Sequence, residues 1–112
     1  MLKRPVFRIV FVVLTAALPA WAGETKPAPT GFAALADAER LPTWSEPVRV
    51  QYLTFLATLS PRAFALSPNG TFWAWQSGNE NAMRDALQRC DQRAQQACQL
   101  YAVDDDVVWP VR

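Results

Sequence analysis

The chain has 112 residues, of which 51% are hydrophobic and 19% are charged, and its formal net charge is +1. This length is typical of a single domain, and the near balance of charges does not favour the clustered basic face that binds nucleic acid. Histidine is absent, which excludes Ser-His and Cys-His catalytic pairs and histidine-ligated zinc. We therefore expect no enzymatic activity, no catalytic residue, no metal site and no cofactor.

Residues 1–22 have the pattern of an export signal. A basic segment (residues 3–8) precedes an apolar run (residues 9–18), and Pro19 stands before Ala20-Trp21-Ala22, a small-x-small sequence that signal peptidase accepts. The apolar run is about half the roughly 20 residues that span a bilayer, so we expect cleavage after Ala22 rather than a retained anchor. The mature protein is then predicted to be periplasmic or secreted by a bacterium, without stable membrane insertion.

The mature chain is predicted to contain a flexible linker and one small domain. Residues 23–30 include two prolines and no large apolar side chain, which is typical of a linker. Residues 31–112 form the domain. Its first segment, Phe32–Ala38, is rich in alanine and predicts a short helix with Thr30 as its cap.

A longer helix is predicted to begin at Ser45. This residue is a suitable N-cap, and Glu46 and Pro47 are both favoured in a first turn. One helical stripe follows, made of Val48, Tyr52, Phe55, Leu56 and Leu59. Residues 48–52 also alternate like a strand, but residues 52–57 keep the helical stripe and break the alternation.

A β-hairpin is predicted next. The strand candidates Arg62–Leu66 and Thr71–Trp75 flank Ser67-Pro68-Asn69-Gly70. Proline presets the first central φ of a turn, and Asn-Gly tolerates the positive φ that can follow.

A second helix and a second hairpin complete the predicted fold. Ser77-Gly78-Asn79-Glu80 resembles a capping box, with Asn79 as the alternative cap. The apolar face of this helix is formed mostly by small residues, namely Ala82, Met83, Ala86, Leu87, Cys90, Ala94 and Ala97. The strands Leu100–Val103 and Val107–Trp109 then flank the turn Asp104–Asp106. These consecutive aspartates lack the alternate spacing and the glycine of a calcium loop.

The pattern therefore predicts an α+β fold. Two hairpins form a small antiparallel sheet of about four short strands, packed against a long amphipathic helix, with a preceding helix and one disulfide.

Cys90 and Cys98 are expected to form that disulfide, because exported chains with two cysteines usually pair them. In one continuous helix this spacing would separate the α-carbons by roughly 12 Å, whereas a disulfide needs them within about 7 Å. The helix must therefore end near Gln95 or Gln96, although no glycine marks the turn.

Four aromatic residues of the sheet form the candidate binding surface: Trp73, Trp75, Tyr101 and Trp109. If one face of the sheet stays open, they would offer a patch for a glycan, a peptide or a partner protein. The alternative, which we favour, is that the helix beginning at Ser45 covers them as core.

The segment Arg62–Trp109 resembles an uncharacterised family of small exported bacterial proteins and C-terminal modules. The matching residues are Ala63-Phe64-Ala65, Ser67-Pro68, Gly70, Trp75, Gly78, Ala82, Ala86-Leu87, Cys90, Cys98, Leu100-Tyr101-Ala102-Val103 and Val107-Val108-Trp109. The resemblance implies a hairpin, a helix and a second hairpin stapled by the two cysteines, with no assigned activity. Some relatives bear the name aminolevulinate synthase, but this chain lacks the core lysine and the length of a pyridoxal-phosphate enzyme. The glycine usual between the cysteines is also missing here.

The sequence thus predicts an exported, non-enzymatic, disulfide-stabilised envelope domain that mediates protein interaction, with an envelope protein as its partner. The alternative is a periplasmic module that binds a glycan or small ligand through the sheet aromatics. The sequence leaves open the identity of the partner and the oligomeric state.

Overall fold

The computed structural model describes residues 25–111, so the predicted signal and its cleavage site lie outside the described residues. In chain order the elements are a 3₁₀ turn (Ala38–Arg40), α1 (Glu46–Leu56), β1 (Arg62–Leu66), β2 (Trp73–Ser77), α2 (Ala82–Ala94), β3 (Gln99–Val103) and β4 (Asp106–Val107). The predicted α+β class is confirmed.

The four strands form one antiparallel sheet in the order β2-β1-β3-β4. β1 is an interior strand, and every one of its residues is buried. Its pairing with β3 is irregular between Phe64 and Ala65, where the register shifts. Alternate residues of β1 point to opposite faces of the sheet, and one helix packs on each face.

Helix α1 covers the aromatic face. Tyr52 and Phe55 are fully buried, and the Tyr52 ring lies 5.2 Å from Phe64 and 5.3 Å from Tyr101 between centroids. Both contacts are edge-to-face, an arrangement that aromatic rings favour. Of the predicted stripe, Val48, Tyr52 and Phe55 are buried and Leu56 is half-buried, whereas Leu59 is exposed.

Helix α2 covers the opposite face with small residues. Ala82, Ala86 and Cys90 are buried in one cluster with Ala63, Ala65 and other sheet residues. Small side chains on both surfaces let the helix backbone approach the sheet closely. The predicted cap at Ser77 is wrong, because Ser77 belongs to β2 and the N-cap position is Asn81.

The Ser45 cap is present, with Val48 N donating to Ser45 Oγ at 3.4 Å. The helix ends at Leu56, however, and Leu59 lies beyond it. The alanine-rich helix Phe32–Ala38 is wrong, since only Ala38–Arg40 forms a 3₁₀ turn. Tertiary contacts prevail over the helical preference of this segment: Tyr52 Oη donates to the Leu35 carbonyl at 2.6 Å, and the Phe32 ring contacts Tyr101 at 6.1 Å.

The first hairpin has a longer connection than predicted, and β2 begins two residues later. Phe72 N donates to Ser67 Oγ at 3.0 Å, and Ser67 N donates to Phe72 O at 2.9 Å. Because of these bonds, residues 71 and 72 belong to the loop and not to β2. The second hairpin turns at Asp104-Asp105, and β4 is Asp106–Val107 rather than Val107–Trp109.

The predicted disulfide joins Cys90 to Cys98 with α-carbons 6.0 Å apart. Helix α2 ends at Gln95, whose φ of +56° places it in the left-handed region where glycine is commonest. The turn is completed by Cys98 N, which donates to Asp91 Oδ1 at 2.8 Å. Glutamine therefore occupies the left-handed cap of α2, a position that glycine takes most often.

Residues 25–30, which the sequence assigns to a linker, lie against the end of the sheet. Thr30 N donates to Val107 O at 3.1 Å, and Thr30 Oγ1 donates to Trp109 O at 2.6 Å. The start and the end of the described chain are consequently joined beside β4.

Candidate interaction surface

The four aromatic residues singled out in the sequence lie on the α1 side of the sheet. Tyr101 is fully buried, and Trp73, Trp75 and Trp109 are half-buried against the same core. Helix α1 contacts Trp75 directly, because Trp75 Nε1 donates to Gln51 Oε1 at 3.1 Å. Of the two arrangements considered from the sequence, the structure has the one in which the helix that begins after Ser45 covers the aromatic face.

Trp73 and Trp109 each retain an accessible edge in different surroundings. The Arg93 guanidinium lies 4.9 Å from the centre of a Trp73 ring. Trp109 lines a surface groove of about 550 Å³ together with Phe32, Arg40 and neighbouring residues. The structure therefore separates these two tryptophans instead of joining them in one patch.

Among residues 25–111, four of the six large apolar side chains that face solvent belong to α1 or lie near its two ends, and the other two are Phe72 and Val111. The exposed fractions are 97% for Trp44, 79% for Leu59, 53% for Leu53 and 50% for Val50. We call these four residues the apolar surface. Val50 and Leu53 lie on the side of α1 that faces away from Tyr52 and the core, because successive helical residues are rotated by about 100°.

The polar groups around Trp44 fix its backbone while leaving its side chain in water. Thr43 is buried, and its Oγ1 donates to Gly70 O at 2.6 Å and accepts from Ser45 N at 3.0 Å. Arg49 Nη2 donates to Thr43 O at 2.8 Å. Trp44 is thus held at the rim of a groove of about 680 Å³ that Arg49 also lines.

Sequence reasoning missed the apolar surface because it followed only the core stripe of α1, to which it wrongly assigned the exposed Leu59. The available signal was the outer side of the same helix, which should be polar in a helix covered on one face only. Val50 and Leu53 are apolar residues on that outer side, contrary to this expectation. Trp44 carried no such signal, since its exposure depends on how residues 42 and 43 pack against Gly70.

A buried arginine of β1 contacts the C-terminal end of α1. The Arg62 side chain is 7% exposed, and its Nη1 donates to the carbonyls of Phe55, Leu56 and Thr58 at 3.1, 3.0 and 2.6 Å. Its Nη2 contacts Asp105 Oδ1 at 3.1 Å. Arg62 therefore satisfies the carbonyl end of α1 and neutralises part of the acidic turn.

The remaining aspartates of that turn contact Lys26. Lys26 Nζ lies 3.2 Å from Asp106 Oδ2 and 3.6 Å from Asp104 Oδ2. The hydrogen bond to Asp106 raises the pKa of Lys26. The turn is accordingly part of an ion-pair network that anchors residue 26 beside β4.

Neither a metal site nor a membrane span is found among residues 25–111. No three His, Cys, Asp or Glu side chains of this part of the chain lie close enough together to hold a metal ion. In the same residues, no helix has the length and apolar character needed to cross a bilayer.

Comparison of the chain with protein-family models, with curated proteins and with solved structures found no match. Its function must therefore be argued from the surface described above.

Proposed function

We propose that this protein is an exported, non-enzymatic domain of the bacterial envelope that acts by binding another protein through the apolar surface. The observation that carries the proposal is the 97% exposure of Trp44, which precedes α1, together with the half-exposed Val50 and Leu53 of that helix. Tryptophan is among the residues most enriched at binding hot spots, and grouped exposed apolar side chains mark interaction sites.

Two observations support the cellular location. The first 22 residues have the order of a secretory signal, with a basic segment, an apolar run and a small-x-small site. Cys90 and Cys98 are disulfide-bonded, and such bonds persist in oxidising compartments. A periplasmic or secreted protein cleaved after Ala22 accounts for both. The intact mass of the protein recovered from the envelope fraction tests this: a chain that retains residues 1–22 would contradict cleavage.

The absence of enzymatic activity is proposed from the residue types. The chain contains no histidine, and Lys26, the only lysine after the predicted cleavage site, is held by two aspartates. Catalysis by a nucleophile that an imidazole activates is thereby excluded. Catalysis by a lysine amine in an apolar pocket is excluded as well.

Capture of a partner tests the proposed interaction. The full chain, expressed with a C-terminal tag, is cross-linked in envelope fractions and recovered on the tag. We expect a partner that is captured by the parent and lost from Leu53→Asp. Val111→Asp is the matched control, because it adds the same charge to another exposed apolar side chain, 60% exposed and outside the apolar surface. Equal capture by Leu53→Asp and the parent would contradict the proposal.

The groove beside Trp109 favours a second candidate, the binding of a glycan or small ligand. Arg40 Nη2 donates to Phe32 O at 3.1 Å, and its guanidinium lies 5.6 Å from the Phe32 ring centre. An aromatic face next to fixed polar groups is a common means of binding sugars. Titration with peptidoglycan fragments should then shift tryptophan fluorescence in the parent but not in Trp109→Phe. An unchanged spectrum at millimolar ligand would contradict this candidate.

A further inference from the structure

We propose that the partner of the apolar surface is a second copy of this chain, with the two α1 helices packed antiparallel across a two-fold axis. This inference rests on the proposed function and names the partner of the same surface. It is drawn from the positions of the exposed residues along α1 and from the exposed area that they provide.

The exposed apolar residues are placed symmetrically about the centre of α1. The helix spans Glu46–Leu56, and Val50 and Leu53 flank the point between Gln51 and Tyr52. Trp44 precedes this point by as many residues as Leu59 follows it. A two-fold axis through the point therefore brings Val50 opposite Leu53 of the other copy, with Trp44 and Leu59 just beyond the two ends of each helix.

The outward side of α1 is compatible with such a pair. Val50, Leu53 and the exposed Ala57 follow one another at spacings of three and four, the interval that keeps side chains on one face of a helix. This narrow apolar row is typical of a helix that packs against one other helix.

Charges do not oppose the antiparallel arrangement. The same two-fold axis places Glu46 opposite Ala57 of the other copy, and Arg49 opposite the other Thr54. No like charges meet at these positions. Antiparallel helices also place each positive helix end beside a negative one, which is favourable.

The area is sufficient for a weak but specific dimer. From their exposed fractions, the four side chains of the apolar surface present roughly 500 Å² per copy, with Trp44 the largest contributor. A pair that covers them buries about 1,000 Å² in total, close to the lower limit for a specific interface. An isologous contact of this kind closes after two copies and does not propagate.

Sedimentation velocity tests the self-association. Protein purified from cells that express the full tagged chain is measured up to about 200 μM, a range suited to an interface of this area. We expect the mass to double with concentration in the parent and in Val111→Asp, and to remain that of the monomer in Leu53→Asp. Circular dichroism checks that Leu53→Asp is folded. A monomeric parent, or a Leu53→Asp protein that associates like the parent, would overturn the inference.

Cross-linking tests the orientation independently. Glu46→Cys and Ala57→Cys proteins with different tags are mixed and treated with a short bismaleimide. We expect links between the two variants and few within either alone, because equivalent Glu46 positions are separated by roughly 16 Å across the two-fold axis. Links formed by Glu46→Cys with itself would overturn the antiparallel pairing.

The same experiments distinguish failure of the self-association from failure of the interaction surface. A monomeric parent whose Leu53→Asp variant still loses a captured envelope protein overturns self-association while retaining the interaction surface. A monomeric parent with unchanged capture in Leu53→Asp overturns both.

Discussion

The two tyrosines occupy the same core, but their hydroxyl groups differ in what they contact. Tyr52 Oη donates to the Leu35 carbonyl at 2.6 Å, whereas Tyr101 Oη is buried with no hydrogen-bond partner among the described residues. Removal of a paired hydroxyl leaves its acceptor unsatisfied, while removal of an unpaired one relieves a desolvation cost.

We therefore expect opposite effects from the same substitution at these two positions. Tyr52→Phe should lower the free energy of unfolding by about 1–2 kcal/mol, and Tyr101→Phe should leave it unchanged or raise it by up to about 1 kcal/mol. Urea denaturation of the two variants measures the difference. A loss of stability in Tyr101→Phe equal to that in Tyr52→Phe would show that the hydroxyl environments do not differ in this way.

Arg62 and Arg93 make similar contacts at different depths. Each guanidinium lies 4.9 Å from an aromatic ring centre, and each donates to backbone carbonyls. Arg62 is buried and its side chain donates to four carbonyls, whereas Arg93 is exposed and donates to one. Lysine retains the charge but cannot reproduce the planar set of donors.

Arg62→Lys should consequently cost about 2–4 kcal/mol of unfolding free energy, because the carbonyl end of α1 loses buried hydrogen bonds. Arg93→Lys should cost less than about 1 kcal/mol, since its contacts are exposed. Thermal unfolding of both variants is the measurement. Comparable shifts in Tm would mean that burial does not determine the contribution of Arg62.

At the scale of elements, Gly70 shows why the first hairpin and the start of α1 are linked. Its φ is +75°, and a β-carbon there would meet Pro42 O and lie 2.8 Å from Thr43 Cα. Gly78 has a similar φ of +70°, but a β-carbon there would meet nothing within 4 Å. A substitution at either glycine would therefore strain the backbone, but only at Gly70 would the added side chain also clash with neighbouring atoms.

Gly70→Ala should cost about 2–4 kcal/mol, which combines the left-handed backbone with a steric clash. Gly78→Ala should cost only about 1 kcal/mol, from the backbone alone. Denaturant midpoints of the two variants provide the comparison. If both lost the same stability, close packing of Gly70 against residues 42 and 43 would not be a separate contribution.

The elements that could be predicted from sequence are those specified by neighbouring residues. The bounds of β1 followed from the turn residues after it, the start of α1 from the Ser45 cap, and the existence of α2 from its apolar periodicity. The segment Phe32–Ala38 could not be predicted, because Tyr52 and Tyr101 fix its backbone from distant positions. The exposure of Trp44 likewise depends on packing that no local pattern encodes.

At the scale of the whole molecule, the buried tyrosines determine the response to alkaline conditions. Burial raises the pKa of Tyr101 to about 12, and burial also raises the pKa of Tyr52. Tyrosine in an unfolded chain ionises near pH 10. Above that pH the folded state retains protons that the unfolded state has lost, so stability decreases as pH rises.

Stability should therefore be constant up to about pH 9.5 and then fall by about 1.4 kcal/mol per pH unit for each tyrosine. The chain contains two tyrosines, both buried, so the increase in absorbance at 295 nm with pH reports the ionisation of these two groups. Tyrosinate should form near pH 10 in denaturant and at higher pH in the native protein. Native ionisation near pH 10, without unfolding, would contradict the burial of both hydroxyls.

The order of strands in the sheet has a consequence for a chain that begins to fold while it is being synthesised. β1 is an interior strand, yet one of its neighbours, β3, follows only after β2 and α2. Residues emerge in sequence order, so one side of the apolar strand Arg62–Leu66 lacks its partner while the intervening segments arrive. An unpaired strand edge is a template for wrong pairing with other chains. β1 can therefore pair wrongly with another chain from the time that Leu66 has emerged until Val103 has emerged.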